Sequence, residues 1–353
     1  MMLPRDRVAA ALSGDDADRV PYQDAFWSTT VQRWRAEGLP ADSSPHDYFG
    51  CEIARLGGDY TLQLPVENIE ETERYRIYRD TNGATRKEIS EGDDWTPHYL
   101  AYGIESRQDW QRLKGRAAYN ESRLPASCLA AYQRARQRQQ FVAFSAHACF
   151  HPTWQKIGMV KLFCAMLEDP DWIADMFSAH TDLIIGLYEG MRAQGMEFDG
   201  AFIADDLGYR EAPMISPQLY HDLVQPQHSR LCERFARDGL RTILHSDGNV
   251  KPLIDDFLEA GFAALHPLEA KAGIDVGQLR QKYGARLVLF GNIDVRRLAG
   301  TREEIEDEVS TKVTTAKEGG GYIFHSDHSV PWDVSLDNYR FALQMLGKYG
   351  SYD

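Results

Sequence analysis

The stretch Leu244-His245-Ser246-Asp247-Gly248-Asn249 decides how the rest of the chain reads. A largely apolar run, residues 240–244, precedes it and predicts a short buried strand. Residues 250–260 follow, with apolar side chains at helical spacing. A histidine, an aspartate and a turn glycine therefore sit where a strand ends and a helix begins. In an eight-fold α/β barrel that rim is where chemistry is done. Strand periodicity is two, so His245 and Asp247 point to the same side and can converge on a metal or form an acid/base pair. The competing reading is an Asp-Gly turn beside an incidental histidine.

Working outward, the same alternation recurs. Residues 20–26, 141–147, 200–204, 262–267, 286–294 and 321–328 read as strands, and helical patterns follow near 154–196, 216, 275–283, 302–318 and 335–347. Residues 28–55 read as helical and rich in aromatics. The count is about seven strands plus one uncertain early one. No glycine-rich phosphate fingerprint follows any strand, which argues against a dinucleotide fold. No linker divides the chain, so residues 1–353 are expected to form one (β/α)8 TIM barrel. An N-terminal β-hairpin flap, about residues 60–100, should stand beside it. Its signal is Asp80-Thr81-Asn82-Gly83 between the runs 75–78 and 85–89, since Asn-Gly between alternating runs marks a hairpin. Trp95, His98, Tyr99 and Tyr102 follow and are expected to pack the flap down or to line a pocket wall.

Composition narrows the partners. The chain has 353 residues and a net charge of −14, which argues against nucleic acid and against an anionic membrane surface. No apolar run is long enough to span a bilayer and the first residues lack a secretion signal, so a cytoplasmic protein is expected. The five scattered cysteines include no Cys-x-x-Cys and predict free thiols.

Nearly every expected strand delivers an acid, amide or imidazole just past its apolar run: Asp24, His147, Asp205 and Asp206, His245 and Asp247, His266, Asn292 and Asp294, then His325, Asp327 and His328. Such a rim suits a catalytic site, although some of these groups are expected only to cap helices.

Several of these segments carry a family resemblance. Asp18-Arg19-Val20-Pro21, Asp206-Leu207-Gly208 with Ser216-Pro217, Val250-x-Pro252, Gly291-Asn292-Ile293-Asp294, and Gly319 to Ile323 through Pro331 and Asn338 resemble the uroporphyrinogen decarboxylase superfamily. The resemblance implies a (β/α)8 barrel. That superfamily holds porphyrinogen decarboxylases and corrinoid-linked methyltransferases. The decarboxylases place an arginine-rich segment after the first strand to hold porphyrin carboxylates. Here that place reads Tyr22-Gln23-Asp24-Ala25-Phe26-Trp27, without arginine.

The methyltransferase branch carries His-x-Cys at the His245 strand and a further cysteine at the last strand, together holding zinc. In this chain the matching residues are His245, Asp247 and Asp327, with His325 or His328 as alternatives for the last ligand. The resemblance therefore implies zinc, or another divalent metal, on His245, Asp247 and Asp327. The loss of both thiolates argues against a thiol acceptor. The implied activity moves a methyl group from a small methylated donor, such as an O-methyl ether (O-demethylation), to a corrinoid on a partner protein. Asp205, Asp206 and His147 would serve as catalytic acid/base groups, and Asp24, Tyr209, Asn292, His325 and His328 would bind the substrate. A homodimer is possible. The alternatives are a decarboxylase or lyase of a small carboxylic acid on the same rim, and a non-catalytic ligand-binding barrel.

Overall fold

A computed structural model describes residues 2–89 and 98–352. Seven parallel strands run in sequence order: β1 (Ile53–Leu56), β6 (Phe141–His147), β7 (Gly200–Ala204), β8 (Arg241–His245), β9 (Ala264–His266), β10 (Val288–Phe290) and β11 (Tyr322–Ile323). The expected first strand supplies the closing stave. Phe324 donates its N–H to Pro21 O at 2.9 Å, Gln23 N–H bonds back to Phe324 O at 3.1 Å, and Glu52 N–H bonds to Tyr22 O at 3.0 Å. Residues 20–26 thus bridge the first and last strands of the sheet, giving the TIM-barrel-like α/β fold that the alternation implied.

One strand escaped the sequence reading. β1 lies inside the stretch expected to be helical. The helices there are Ser28–Ala36 and Pro45–Phe49, and the second ends at Gly50 with φ 73°. Cys51 and Glu52 are already extended when β1 begins beside β6. Four residues are too few to show a period in the sequence.

The inward positions define two layers. Low in the barrel, Ile53, Phe141, Ala143, Ile243, Ala264, Val288 and Ile323 form an apolar cluster with Phe202 and Phe290. Val8, Ala11 and Leu12 of the helix Pro4–Ser13 join that cluster at i, i+3 and i+4, so this helix plugs the barrel floor. Above the cluster, period two carries Arg55, His147, His245, His266 and, two strands on, His325 to the inward positions.

The flap is larger than a hairpin. It is a four-stranded antiparallel sheet, β2 (Glu67–Glu71), β3 (Tyr75–Arg79), β4 (Thr85–Ile89) and β5 (His98–Ala101). Thr81-Asn82-Gly83 makes the β3–β4 loop, with Gly83 at φ 79° and Asp80 Oδ1 accepting from the N–H groups of Asn82 and Ala84 at 2.9 Å. Tyr99 stacks on Tyr102 and meets Trp154 edge-on at 5.6 Å, which docks the flap on the helix Phe150–Ile157 at the barrel rim. Trp95 lies outside the described residues.

Closure depends on a buried ionic knot. Glu52 is 1% exposed; Oε1 accepts from Arg7 and Arg19, and Oε2 accepts from Tyr22 N–H at 2.8 Å. Replacing Glu52 with alanine leaves the buried Arg7 guanidinium without that partner and should cost about 3–5 kcal/mol. Urea denaturation checks this, and a loss under about 1 kcal/mol would contradict the role given to the knot.

Candidate active site at the barrel rim

His245 is the last residue of β8, and Asp206 stands two residues past the end of β7. The loops that follow these strands pack backbone on backbone. An added Cβ at Gly248, where φ is 80°, would lie 2.5 Å from the Gly208 carbonyl carbon. Asn249 N–H bonds to Tyr209 O at 2.7 Å, and Ser246 Oγ accepts Leu207 N–H at 2.9 Å. This contact fixes Asp206 against Asp247: Asp206 Oδ1 accepts Asp247 N–H at 3.3 Å.

Asp206, His245 and Asp247 offer ligand atoms that all lie within 4.8 Å of one another. His245 Nε2 is 3.6 Å from Asp206 Oδ1 and 3.9 Å from Asp247 Oδ1. Tetrahedral zinc with bonds of about 2.1 Å spaces its ligands by about 3.4 Å, so a small inward movement would seat an ion. Asp247 Oδ1 is buried and has no hydrogen-bond partner among the described residues. On the far side of the ring, His245 Nδ1 is 2.7 Å from His266 Nδ1. When Nδ1 of His245 donates there, its Nε2 lone pair faces the two carboxylates, as ligation requires.

The two aspartates are electrostatically unlike. Burial opposes the charge of Asp206, but His151 and His245 outweigh it and hold its carboxyl well below the usual range. His151 Nδ1 stands 2.9 Å from Asp206 Oδ2, off the hydrogen-bonding direction. Burial raises the pKa of Asp247, and the neighbouring Asp206 adds to the rise against the pull of His245. A divalent cation between them would relieve both the orphan oxygen and the like-charge contact.

A cavity of about 250 Å³ opens beside this group, lined by His245, Asp247, His266, His325, His328 and Arg55. Two phenylalanines pack against His266: Phe202 lies 5.2 Å from it and Phe290 4.6 Å. His328 stacks on Trp27 at 5.7 Å. A second cavity, about 460 Å³, shares Asp247 and is lined by Tyr209, Arg210, Lys271 and Arg296. Tyr209 is 70% exposed there.

Four expected site residues belong to the scaffold instead. Asp327, expected as the third ligand, is buried and caps backbone: Oδ2 accepts Ala270 N–H at 3.1 Å and Oδ1 accepts Val295 N–H at 3.1 Å. Asp206 takes its place beside His245 and Asp247. Asp205 is fully buried; Oδ1 accepts His151 N–H at 2.7 Å, and Oδ2 meets Phe150 N–H and His228 Nε2 at 3.1 and 3.0 Å. It holds the N-terminus of the helix Phe150–Ile157 and lines neither cavity. Asp24 is 1% exposed, and its Oδ2 accepts from Ser326 Oγ at 2.8 Å and Tyr339 OH at 2.7 Å. Asn292, at φ 76°, donates to Leu268 O and Ile274 O and is fully buried. In each case a polar side chain at a strand end ties down a segment that follows a different strand, and does not line the cavity.

Cys149, Asp205 and His228 form a second possible metal cluster among the described residues. Asp205 already has protein partners, His228 Nδ1 meets Tyr220 OH at 3.1 Å, and burial pushes the Cys149 thiol far up. His147 faces the site side, with its ring 4.9 Å from His151 and its Nδ1 buried and unpartnered among the described residues. Burial, with His151 nearby, lowers its pKa to about 4. Arg55 had no sequence signal, because its strand was unread.

The TIM-barrel-like fold thus brings a group that could hold a metal ion, Asp206, His245 and Asp247, to the ends of its strands. A family model described as uroporphyrinogen decarboxylase (URO-D) matches residues 88–349, so the chain belongs to that family. Among curated relatives, a uroporphyrinogen decarboxylase from Xanthomonas oryzae pv. oryzae is 24% identical over 195 residues, 51% of each chain. Another, from Psychromonas ingrahamii, is 35% identical over 65 residues, 18% of each. The chain thus spans between about a fifth and half of the length of these relatives. A solved methyltransferase from Methanosarcina mazei covers 99% of both chains with a TM-score of 0.68 at 17% identity, a likeness of fold. No helix among the described residues is long and apolar enough to cross a membrane.

His180 gives a pH test. It is 4% exposed, its Nε2 is 2.9 Å from His147 O, and burial lowers its pKa to about 3. The unfolded chain binds a proton there near pH 6.5, so the contribution is complete above that value and is lost as pH falls from about 6.5 toward 3. The slope is at most about 1.4 kcal/mol per pH unit for one such histidine. Calorimetric unfolding at pH 7, 5 and 4 should show a smaller acid loss for His180→Gln than for the native chain. Identical pH dependence would contradict the assignment.

Proposed function

We propose that this protein is a metal-dependent methyltransferase that moves a methyl group from a small methylated donor, such as an O-methyl ether, to a corrinoid carried on a separate protein. The observation that carries the reading is the group Asp206, His245 and Asp247, with an unpartnered carboxylate oxygen, set between two cavities that meet at Asp247. One cavity suits a small donor, and the wider one gives a second approach to the same carboxylate. Family membership and the likeness of fold to a methyltransferase support the reading.

Asp206, His245 and Asp247 would hold the metal, leaving one position open. When bound, it would supply Lewis acidity to the donor's heteroatom, whose departure is the hard step for an unactivated ether. The chain's own residues do the rest. His266 fixes the His245 ring through the Nδ1 contact. His151, 2.9 Å from Asp206 Oδ2, would steady the charge of that carboxylate. His147, whose charged form burial disfavours, packs its ring 4.9 Å from His151 behind the site.

Protein purified without chelator should carry about one equivalent of divalent metal, falling below about a tenth in Asp206→Ala and His245→Ala and persisting in Asp327→Ala. With reduced corrinoid and a panel of methoxylated donors, absorbance should report methylation that stops on chelation and returns with zinc. Transfer that survives chelation, or metal lost only in Asp327→Ala, would overturn the proposal.

A further inference from the structure

Arg55 is the one strongly basic group on the wall of the 250 Å³ cavity. It occupies an inward position of β1 and lies over the Phe202 ring, 4.6 Å from its centroid. Burial alone acts on its charge, and no carboxylate among the described residues answers it. This is unusual for the chain: nearly every other arginine near the barrel ends is engaged by an acid or a carbonyl, as Arg7, Arg19 and Arg123 are. The same cavity is lined by the imidazoles of His245, His266 and His325. A guanidinium in a confined space with no carboxylate engaging it is an uncompensated charge, and such a charge favours a bound anion.

We propose that this cavity binds a small monocarboxylate, with its carboxylate on Arg55 and its other end toward Asp206, His245 and Asp247. The inference rests on the methyl-transfer reading for what happens at that other end, and makes the methyl donor an acid. Geometry sets the class. The guanidinium plane, braced by Phe202, presents paired N–H groups that match the two oxygens of a carboxylate. At about 250 Å³ the cavity suits a small molecule. One guanidinium and this volume suit one acid group rather than a tetrapyrrole's several. Trp27 and Pro267 give the remainder of the ligand an apolar wall. If a divalent ion is held by the two carboxylates, their charges cancel and Arg55 leaves one positive charge for the ligand to neutralise.

The test is calorimetric titration of the whole chain with methoxyacetate and 3-methoxybenzoate, each beside its neutral amide, and with inorganic phosphate. At least one acid should bind about tenfold or more tightly than its amide. Arg55→Met should abolish that preference, and Arg55→Lys should keep part of it while losing the paired geometry. Unfolding midpoints and circular dichroism confirm that each variant folds; should Arg55→Met fail to fold, a partial loss in Arg55→Lys carries the test. Equal binding of acids and amides, a preference that survives in Arg55→Met or is unchanged in Arg55→Lys, or phosphate binding tighter than either acid would overturn the inference. The titrations need no turnover. Acid binding through Arg55 without methyl transfer would therefore sink the transfer reading and leave this one standing.

Discussion

Everything at the rim depends on closure of the barrel between residues 20–26 and the last strand. Phe324 is held between Pro21 and Gln23 by two backbone hydrogen bonds. Asp24 then locks the junction, because its buried carboxylate accepts from Ser326 and from Tyr339, and Tyr339 in turn meets Tyr22 at 2.7 Å. A carboxylate with this many donors is more use as a clamp than as a ligand. With the ring closed, the inward positions of β1, β8 and β9, with His325 beyond β11, line a single space. An open sheet would leave Arg55 and His325 on opposite edges.

The chemistry follows from what closure buries. Imidazoles crowded against aromatic rings lose solvation, which disfavours their charged forms. His266 and His325 are held toward neutrality this way, and a neutral imidazole is the form that ligates metal. The two aspartates are pulled apart, Asp206 toward ionisation by His151 and His245, Asp247 away from it by burial. Hydrogen bonding satisfies the scaffold carboxylates Asp24, Asp205 and Asp327, whereas Asp247 retains an oxygen with no partner among the described residues. That contrast separates the groups that build the rim from those available to act on a ligand.

The barrel was legible in the chain because buried apolar runs give way abruptly to polar residues, and seven such strand ends recur at βα spacing. His245 and Asp247 were legible for the same reason. Which third group joins them was not: Asp206 and Asp327 both follow strands, and sequence spacing carries no information on which carboxylate turns to the cavity and which turns to cap a helix. Asp205 shows how fine the difference is, since it adjoins Asp206 and points to the opposite task. Arg55 stayed hidden because β1 is only four residues long and follows two helices. The flap's two further strands were missed because β2 is wholly exposed and lacks the alternation that marks a strand.

The central claim is that the metal position lies between Asp206, His245 and Asp247. Anomalous diffraction from zinc-soaked crystals, recorded on both sides of the zinc edge, tests it most directly. The account predicts one dominant peak about 2.0–2.2 Å from His245 Nε2 and from an oxygen of each aspartate. A dominant peak at Asp327, or at Cys149 and His228, or no peak at the rim under saturating zinc, would contradict it.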